Sequence, residues 1–407
     1  MGWSRAFLDG AFFDDDHTDR EHKMRFFRRQ RHRFACIASS SAAVAASSST
    51  SSCSGSSNSG STGGGLCSKS TYVSYYDTGK NGGPQHVIHY DSYRRTPKWV
   101  ITYHPKPTAA DGDAAAAASS SRAKASFYAD AKVDVDVFRI KPTDYNNSGF
   151  DRGHMIPAAD FAVTQEALQS TFTMTNIAPQ SPQLNKGFWA KLEALVRYLH
   201  VKHEAFEEIV VITGPVYAPV KFGATWTYMH RSIGTFPKLI HVPTHFFKVV
   251  VGRRASARQS TSPLHIGGSG TSALTLFQAG NGKGVDGVTF IGAFLVPNTD
   301  DVDPKTPLER FAVRIDVLEA LVGCSFFGDG LGAKDRARVD GNVPPGSFDV
   351  ETLLTPALFA KANADAGLGG NGPAKSGKRR VTGAYLFEHL CNAPGVHCDQ
   401  SIFAKSS

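Results

Sequence analysis

Phe150-Asp151-Arg152-Gly153-His154-Met155 is the stretch on which the reading of this chain turns. It reads as the end of a strand, closed by a histidine beside an arginine and a glycine. Asn185 follows 31 residues later, and then Trp189, Glu193 and Arg197 at helical spacing. Around them Leu184, Phe188, Leu192, Leu195 and Leu199 recur at three- and four-residue steps, which predicts a helix over 184–200. A strand that ends in His154 and a helix that carries Asn185 and Glu193 are the frame from which the rest is read.

Working outward, the apolar runs predict strands. Residues 87–89 and 99–104 read as two strands, with Arg94-Arg95-Thr96-Pro97 as the turn between them. Val133, Val135 and Val137 alternate with Asp134 and Asp136, which predicts an extended stretch over 133–139. Residues 209–213 form a continuous apolar run ended by Gly214-Pro215, the mark of a buried strand. Residues 245–251 and 289–296 read as further strands, and 308–322 as a second helix. Residues 107–121 and 252–287 read as surface insertions, and 39–66 as a Ser/Gly-rich linker. After Phe327 the chain turns rich in Gly, Ala and Pro and reads as a weakly ordered appendage. The mixture of strands with few helices predicts an α+β fold.

Composition bounds the partners. The chain has 407 residues, 41% of them hydrophobic and 20% charged, enough for a real core and against a wholly disordered chain. The formal net charge of +8 suits polyanionic partners, because phosphates held by lysine and arginine release counterions. No apolar run reaches the length of a membrane-crossing helix. None of the six cysteines forms a Cys-x-x-Cys pair, so a structural zinc site is not expected. Cys391 and Cys398 are close enough to bridge a small loop, but the cysteines read as free thiols. From Met24 to Tyr76 there is no Asp or Glu, and an arginine-rich run leads into a serine/alanine tract. That is the signature of a mitochondrial presequence, with Met24 as the expected start. A secretory signal over 34–46, interrupted by three serines, and a plain basic tail are the rivals.

The site residues suit one reaction. Phosphodiester hydrolysis needs a base for water, neutralisation of charge on phosphorus, and stabilisation of the leaving 3′-oxygen. His154 can be the base, because imidazole is largely neutral near pH 7. Asn185 offers a hard amide oxygen suited to Mg²⁺, leaving the ion mostly hydrated. Glu193 can accept hydrogen bonds from metal-bound water, and Arg197, four residues on, can reach a phosphate. Taken singly, each has a plainer reading: a structural histidine, a helix cap, a surface ion pair. The joint spacing favours chemistry.

Asp151-Arg152-Gly153-His154, Thr175-Asn176-Ile177-Ala178-Pro179-Gln180, Leu184-Asn185, Trp189 and Leu192-Glu193 together resemble the DNA/RNA non-specific endonucleases, and within them the endonuclease G branch. The similarity takes in Asp144-Tyr145, Thr213-Gly214-Pro215, the run from Val242 to Lys248, and Val296-Pro297-Asn298. The resemblance implies a ββα-metal (His-Me finger) fold with a central antiparallel sheet. The chain then reads as a targeting, low-complexity region over 1–67, the nuclease domain over 68–327 and a C-terminal extension over 328–407 that the resemblance does not cover. The resemblance implies His154 as general base, Asn185 as the Mg²⁺ ligand with Mn²⁺ as a substitute, and Glu193 as organiser of the metal's water. Arg122 matches the phosphate-binding arginine by position, Asn176 holds the site loop, and Arg152 is either structural or touches substrate. DNA and RNA would be cut to 5′-phosphate and 3′-hydroxyl ends by a mitochondrial homodimer able to relocate to the nucleus. The rivals are a secreted scavenging nuclease, an inactive nucleic-acid-binding homologue and a phosphodiesterase for small nucleotides.

Overall fold

The computed structural model of the chain describes residues 71–77, 85–104, 122–202, 206, 208–255, 287–327, 331–354, 387–393 and 396–400. The expected presequence, the linker and the insertion over 107–121 lie outside them, as does most of the second insertion. The chain divides into two compact units. The smaller takes in residues 324–331, where the rings of Phe326 and Phe327 lie 6.5 Å apart. The larger holds every element below.

Its centre is a sheet in the order β1 (Thr71–Asp77), β2 (Gln85–Asp91), β3 (Thr96–His104), β6 (Glu208–Val216), β11 (His245–Ala255), β12 (Gly287–Pro297) and β13 (Ala312–Val313). These pairs are all antiparallel. The central strands β6, β11 and β12 are almost continuously buried, which is why they appear in the sequence as unbroken apolar runs. Gly214 in β6 lies where a Cβ would come within 2.7 Å of both the Lys98 carbonyl and the Phe247 ring. A side chain there would force β3 or β11 away.

Off the sheet stand three two-stranded hairpins: β4 (Asp151–His154) with β5 (Ile177–Gln180), β7 (Pro219–Phe222) with β8 (Thr225–Tyr228), and β9 (Ser232–Thr235) with β10 (Lys238–His241). Helix α1 (Gln165–Ser170) lies between β4 and β5, and its first free N–H groups are capped by Thr164. After β5 the chain runs through a helical turn, Pro182–Leu184, a π-helical turn, Asn185–Trp189, the helix α2 (Ala190–Arg197), and a second π-helical turn, Tyr198–Lys202. The expected single helix over 184–200 is therefore one rod with widened turns, and Gly187 leaves helical geometry inside the first (φ −98°, ψ −110°).

Two expected elements are corrected. Residues 133–139 are not extended throughout: Asp136–Phe138 is a 3-10 turn, and Val135 and Val137 are exposed with no strand beside them. The second expected helix is broken in three: a 3-10 turn at Leu308–Phe311, then β13, then α3 (Ile315–Val322). The ladder between β13 and β12 takes backbone groups that a continuous helix would have needed.

The stretch after 327 is no loose appendage. Strand β14 (Phe387–His389) pairs in parallel with residues 289–291 of β12. Helix α4 (Ala333–Gly341) reaches it through Arg338, which binds Glu388 and the Phe387 carbonyl. Glu388 is buried and also accepts from Asn342 and Asn392. From α5 (Val350–Leu354), the Leu353 carbonyl meets Nε2 of buried His245 at 2.6 Å. Cys391 and Cys398 are bridged, so the free-thiol reading fails for this pair.

Candidate active site

The local chain builds the site from β4, β5 and the helical rod after them. In the β4–β5 ladder, Gly153 faces Ala178 and His154 faces Ile177. A Cβ on Gly153 would lie 2.3 Å from Gln180 Oε1 and 2.6 Å from Gln180 Cβ. The residue before the histidine is therefore a glycine because the Gln180 side chain occupies the space. Asn176, fully buried, clamps the chain just past His154. Its Oδ1 accepts from Ile156 N (2.9 Å), and its Nδ2 donates to the carbonyls of Ile156 (3.2 Å) and Thr171 (2.8 Å). With its amide spent on backbone, Asn176 is a brace for the hairpin.

His154 lies between the rings of Phe127 (5.3 Å) and Phe172 (4.8 Å, edge-on). The residue keeps some exposed surface, but its Nε2 is buried and has no partner among the described residues. Burial, and then the charge of Arg122, push its pKa down to about 3, so the imidazole is neutral across the physiological range. Arg152 places its guanidinium 5.0 Å over Phe127, against the same aromatic wall.

The helical rod starts under control of two distant side chains. Asp300 accepts from Gln183 N (2.8 Å) and from the Ser181 hydroxyl. Asn298 accepts from Ser181 N and donates to the carbonyls of Pro179 and Pro243. Asn185 opens the π-helical turn, an irregularity frequent at functional sites. Its Nδ2 donates to Asp151 Oδ2 at 2.9 Å, and Lys186 lies 3.2 Å from the same oxygen. Asp151 thus fixes the amide so that its oxygen is the atom left for a cation.

On α2, Glu193 and Arg197 do not pair with each other. Arg197 binds Asp160 at 2.6 Å, and the Asp160 carboxylate is almost fully buried. His104 Nε2 stands 3.8 Å from the other Asp160 oxygen, and its pKa is lowered by burial. Glu193 keeps partial solvent access, yet protein surrounds it closely enough for burial to raise its pKa. Lys248 opposes that rise, Asp160 adds to it, and Arg197 and Arg122 oppose it. Arg122 itself is exposed on a 3-10 turn, and its charge acts on both His154 and Glu193. The structure therefore gathers Arg122, His154 and Glu193 into one electrostatic neighbourhood, with Asn185 held to the same hairpin by Asp151.

Sequence reasoning missed three contributors: Asp151 as the group that orients Asn185, Asp160 as the anchor of Arg197, and Lys248. Lys248 is fully buried, donates to Thr213 Oγ1 at 3.0 Å and lies 4.8 Å over the Trp189 ring, one turn before Glu193. Burial lowers its pKa. Its signal was available, as a lone charge inside Phe246-Phe247-Lys248-Val249-Val250-Val251.

Among the described residues no three His, Cys, Asp or Glu side chains gather as a cage for a metal. The donor set is instead one oriented amide oxygen, which fits a hard cation that keeps most of its water. Zinc or another ion that needs several nitrogen or sulfur ligands does not fit it.

Comparison with known proteins gives the same direction. Nuclease 1, mitochondrial, of Schizosaccharomyces pombe is 34% identical over 190 residues, covering 46% of this chain and 49% of that protein. The mitochondrial nuclease of Saccharomyces cerevisiae is 32% identical over 237 residues, covering 58% of this chain and 61% of that protein. A solved structure described as the EndoG/EndoGI complex aligns with a TM-score of 0.46 at 28% identity, over 59% of this chain and 82% of that one. The chain spans about half to three-fifths of the length of the two fungal relatives. The family described as DNA/RNA non-specific endonuclease matches residues 69–332, more than half of the sequence, and the chain belongs to that family.

Proposed function

We propose that the protein is a mitochondrial, metal-dependent endonuclease that hydrolyses phosphodiester bonds in DNA and RNA. The observation that carries this reading is His154: a neutral imidazole with a buried, unpartnered Nε2, on the hairpin that also orients Asn185. A base that must take a proton from water needs both that neutrality and that free nitrogen.

The residues divide the work. His154 Nε2 accepts a proton from the attacking water. Asn185 Oδ1 would hold Mg²⁺, or Mn²⁺ in its place, and the bound ion supplies charge neutralisation at the phosphate and at the leaving 3′-oxygen. Glu193 accepts hydrogen bonds from the water around Asn185. Arg122, exposed beside the site, and Arg197, held by Asp160, bind phosphate oxygens. Asn176 and Arg152 keep the hairpin and its aromatic wall in place. Attack on phosphorus with loss of the 3′-oxygen leaves 5′-phosphate and 3′-hydroxyl ends. The mitochondrial location follows from the names of the fungal relatives and from the acid-poor, arginine-rich N-terminal sequence. A homodimer is the expected assembly.

The test uses the full chain. It should nick plasmid and degrade RNA with Mg²⁺ or Mn²⁺ and stop in excess EDTA. His154→Ala should lower both rates by roughly 10²–10⁴-fold. Activity that survives either the chelator or the substitution would overturn the reading.

A further inference from the structure

The two hairpins at residues 219–241 have no part in the chemistry above. Strand β8 is exposed at every position, which is unusual for a strand with one partner and no sheet behind it. Its register with β7 sets Trp226 opposite Lys221 and Tyr228 opposite Pro219, so the two rings share a face. Trp226 is 51% exposed, Tyr228 67%, Met229 57% and, at the tip of the next hairpin, Phe236 83%. Lys221 Nζ stands 5.6 Å from the Trp226 ring.

The charge around these rings has one sign. Between Glu208 and Asp286 the sequence contains no acidic residue. Lys238 is matched by Asp136 at 3.0 Å, but Lys221 and Arg231 have no carboxylate partner among the described residues. The chain that carries these rings leads back toward the site. Arg231 lies 4.7 Å over the Phe150 ring, and Phe150 adjoins Asp151, which holds Asn185. Ile233, Ile240 and Val242 pack with Met174 and Ile177, beneath the hairpin that bears His154.

We infer that Trp226 and Tyr228, with Lys221 and Arg231, form a stacking platform for a single-stranded stretch of the nucleic acid being cut. This rests on the nuclease reading above. Exposed aromatic faces accept any base, and cations between them follow the phosphate backbone, so the platform would bind without sequence preference. Exposed apolar surface alone would suit a protein partner equally well. The acid-free, cationic setting and the continuity with Asp151 favour a polyanion.

The experiment uses the full chain carrying His154→Ala, so that binding is read without cleavage, with a fluorescein-labelled 20-nucleotide single strand followed by anisotropy. Adding Trp226→Ala and Tyr228→Ala should weaken binding about ten-fold, the loss of roughly one stacked base. Trp226→Phe should retain it, and Thr227→Ala, on the other face of the hairpin, should leave it unchanged. Unchanged melting curves exclude a folding cause, since all three side chains are exposed. Equal affinity with and without the two rings overturns the platform. Equal affinity together with loss of a dimer by light scattering assigns the surface to a second copy instead. Plasmid cleavage by the wild-type chain is run separately: its failure sinks the nuclease reading, while the anisotropy still decides the platform.

Discussion

Burial holds His154 near pKa 3, so an acid limb in the rate profile has to come from another group. In the proposed mechanism Glu193 is that group. Burial raises its pKa, and it serves the site only when ionised, so the active fraction is lost as pH falls through that raised value. The rate kcat/KM should therefore begin to fall on the acid side at a pH above the ordinary carboxylate range. Glu193→Gln should lower the plateau and remove the limb, and a limb that survives the substitution would place the titration elsewhere. At this scale the sequence was readable where partners are local. His154, Asn185 and Glu193 sit in two short patterns, and residue type and spacing, with the family resemblance beside them, marked them as candidates. Asp160 and Lys248 were not found, because their roles exist only through the helical rod over 182–202, which meets each of them from a distant part of the chain.

Strands were legible wherever both faces are buried, as in β6, β11 and β12. The hairpins β7–β8 and β9–β10 escaped, since strands of four residues leave patterns too short to tell from turns. The opposite error came at 133–139, where alternation was present but no strand among the described residues accepts the ladder. Periodicity reports which face is apolar, and only the rest of the molecule decides whether that face finds a partner. The same limit hid β14, three residues long and far in sequence from β12. A bridge between Cys391 and Cys398 pins the chain where it leaves that strand. For so small a loop the chain-entropy estimate is about 2 kcal/mol. Cys391→Ser should lower stability by that order in urea unfolding, and reductant should do the same to the wild type but not to the variant. A variant as stable as the parent would show that the bridge adds nothing to the fold.

Across the whole molecule, several buried histidines point one way. Burial lowers His86 to about 3, and His89, His245 and His389 to about 4. In the unfolded chain each titrates near 6.5, so between that value and about 4 the unfolded state binds more protons. Their contribution is complete above pH 6.5 and is lost as pH falls, at up to about 1.4 kcal/mol per pH unit for each. Thermal unfolding should show Tm nearly flat above pH 7 and dropping steeply from pH 6 to pH 4. A flat profile down to pH 4 would mean that these rings titrate in the folded protein as they do in the unfolded chain. The fold class was legible because the strand runs and the helix after β5 were. The integration of residues after 327 was not, because Gly/Ala/Pro-rich composition says nothing about a short strand that joins an existing sheet.

The parallel pairing of β14 with β12 has a consequence for how the protein comes into being. A chain that emerges in order, whether from a ribosome or through a membrane pore, presents residues 289–291 almost a hundred residues before their partners 387–389. Throughout that interval this part of β12 has open hydrogen-bonding groups in a strongly apolar strand, the kind of edge that recruits other chains. Maturation therefore has a vulnerable period that closes only with the arrival of the final strand, and a chaperone that shields strand edges would be needed most at that moment.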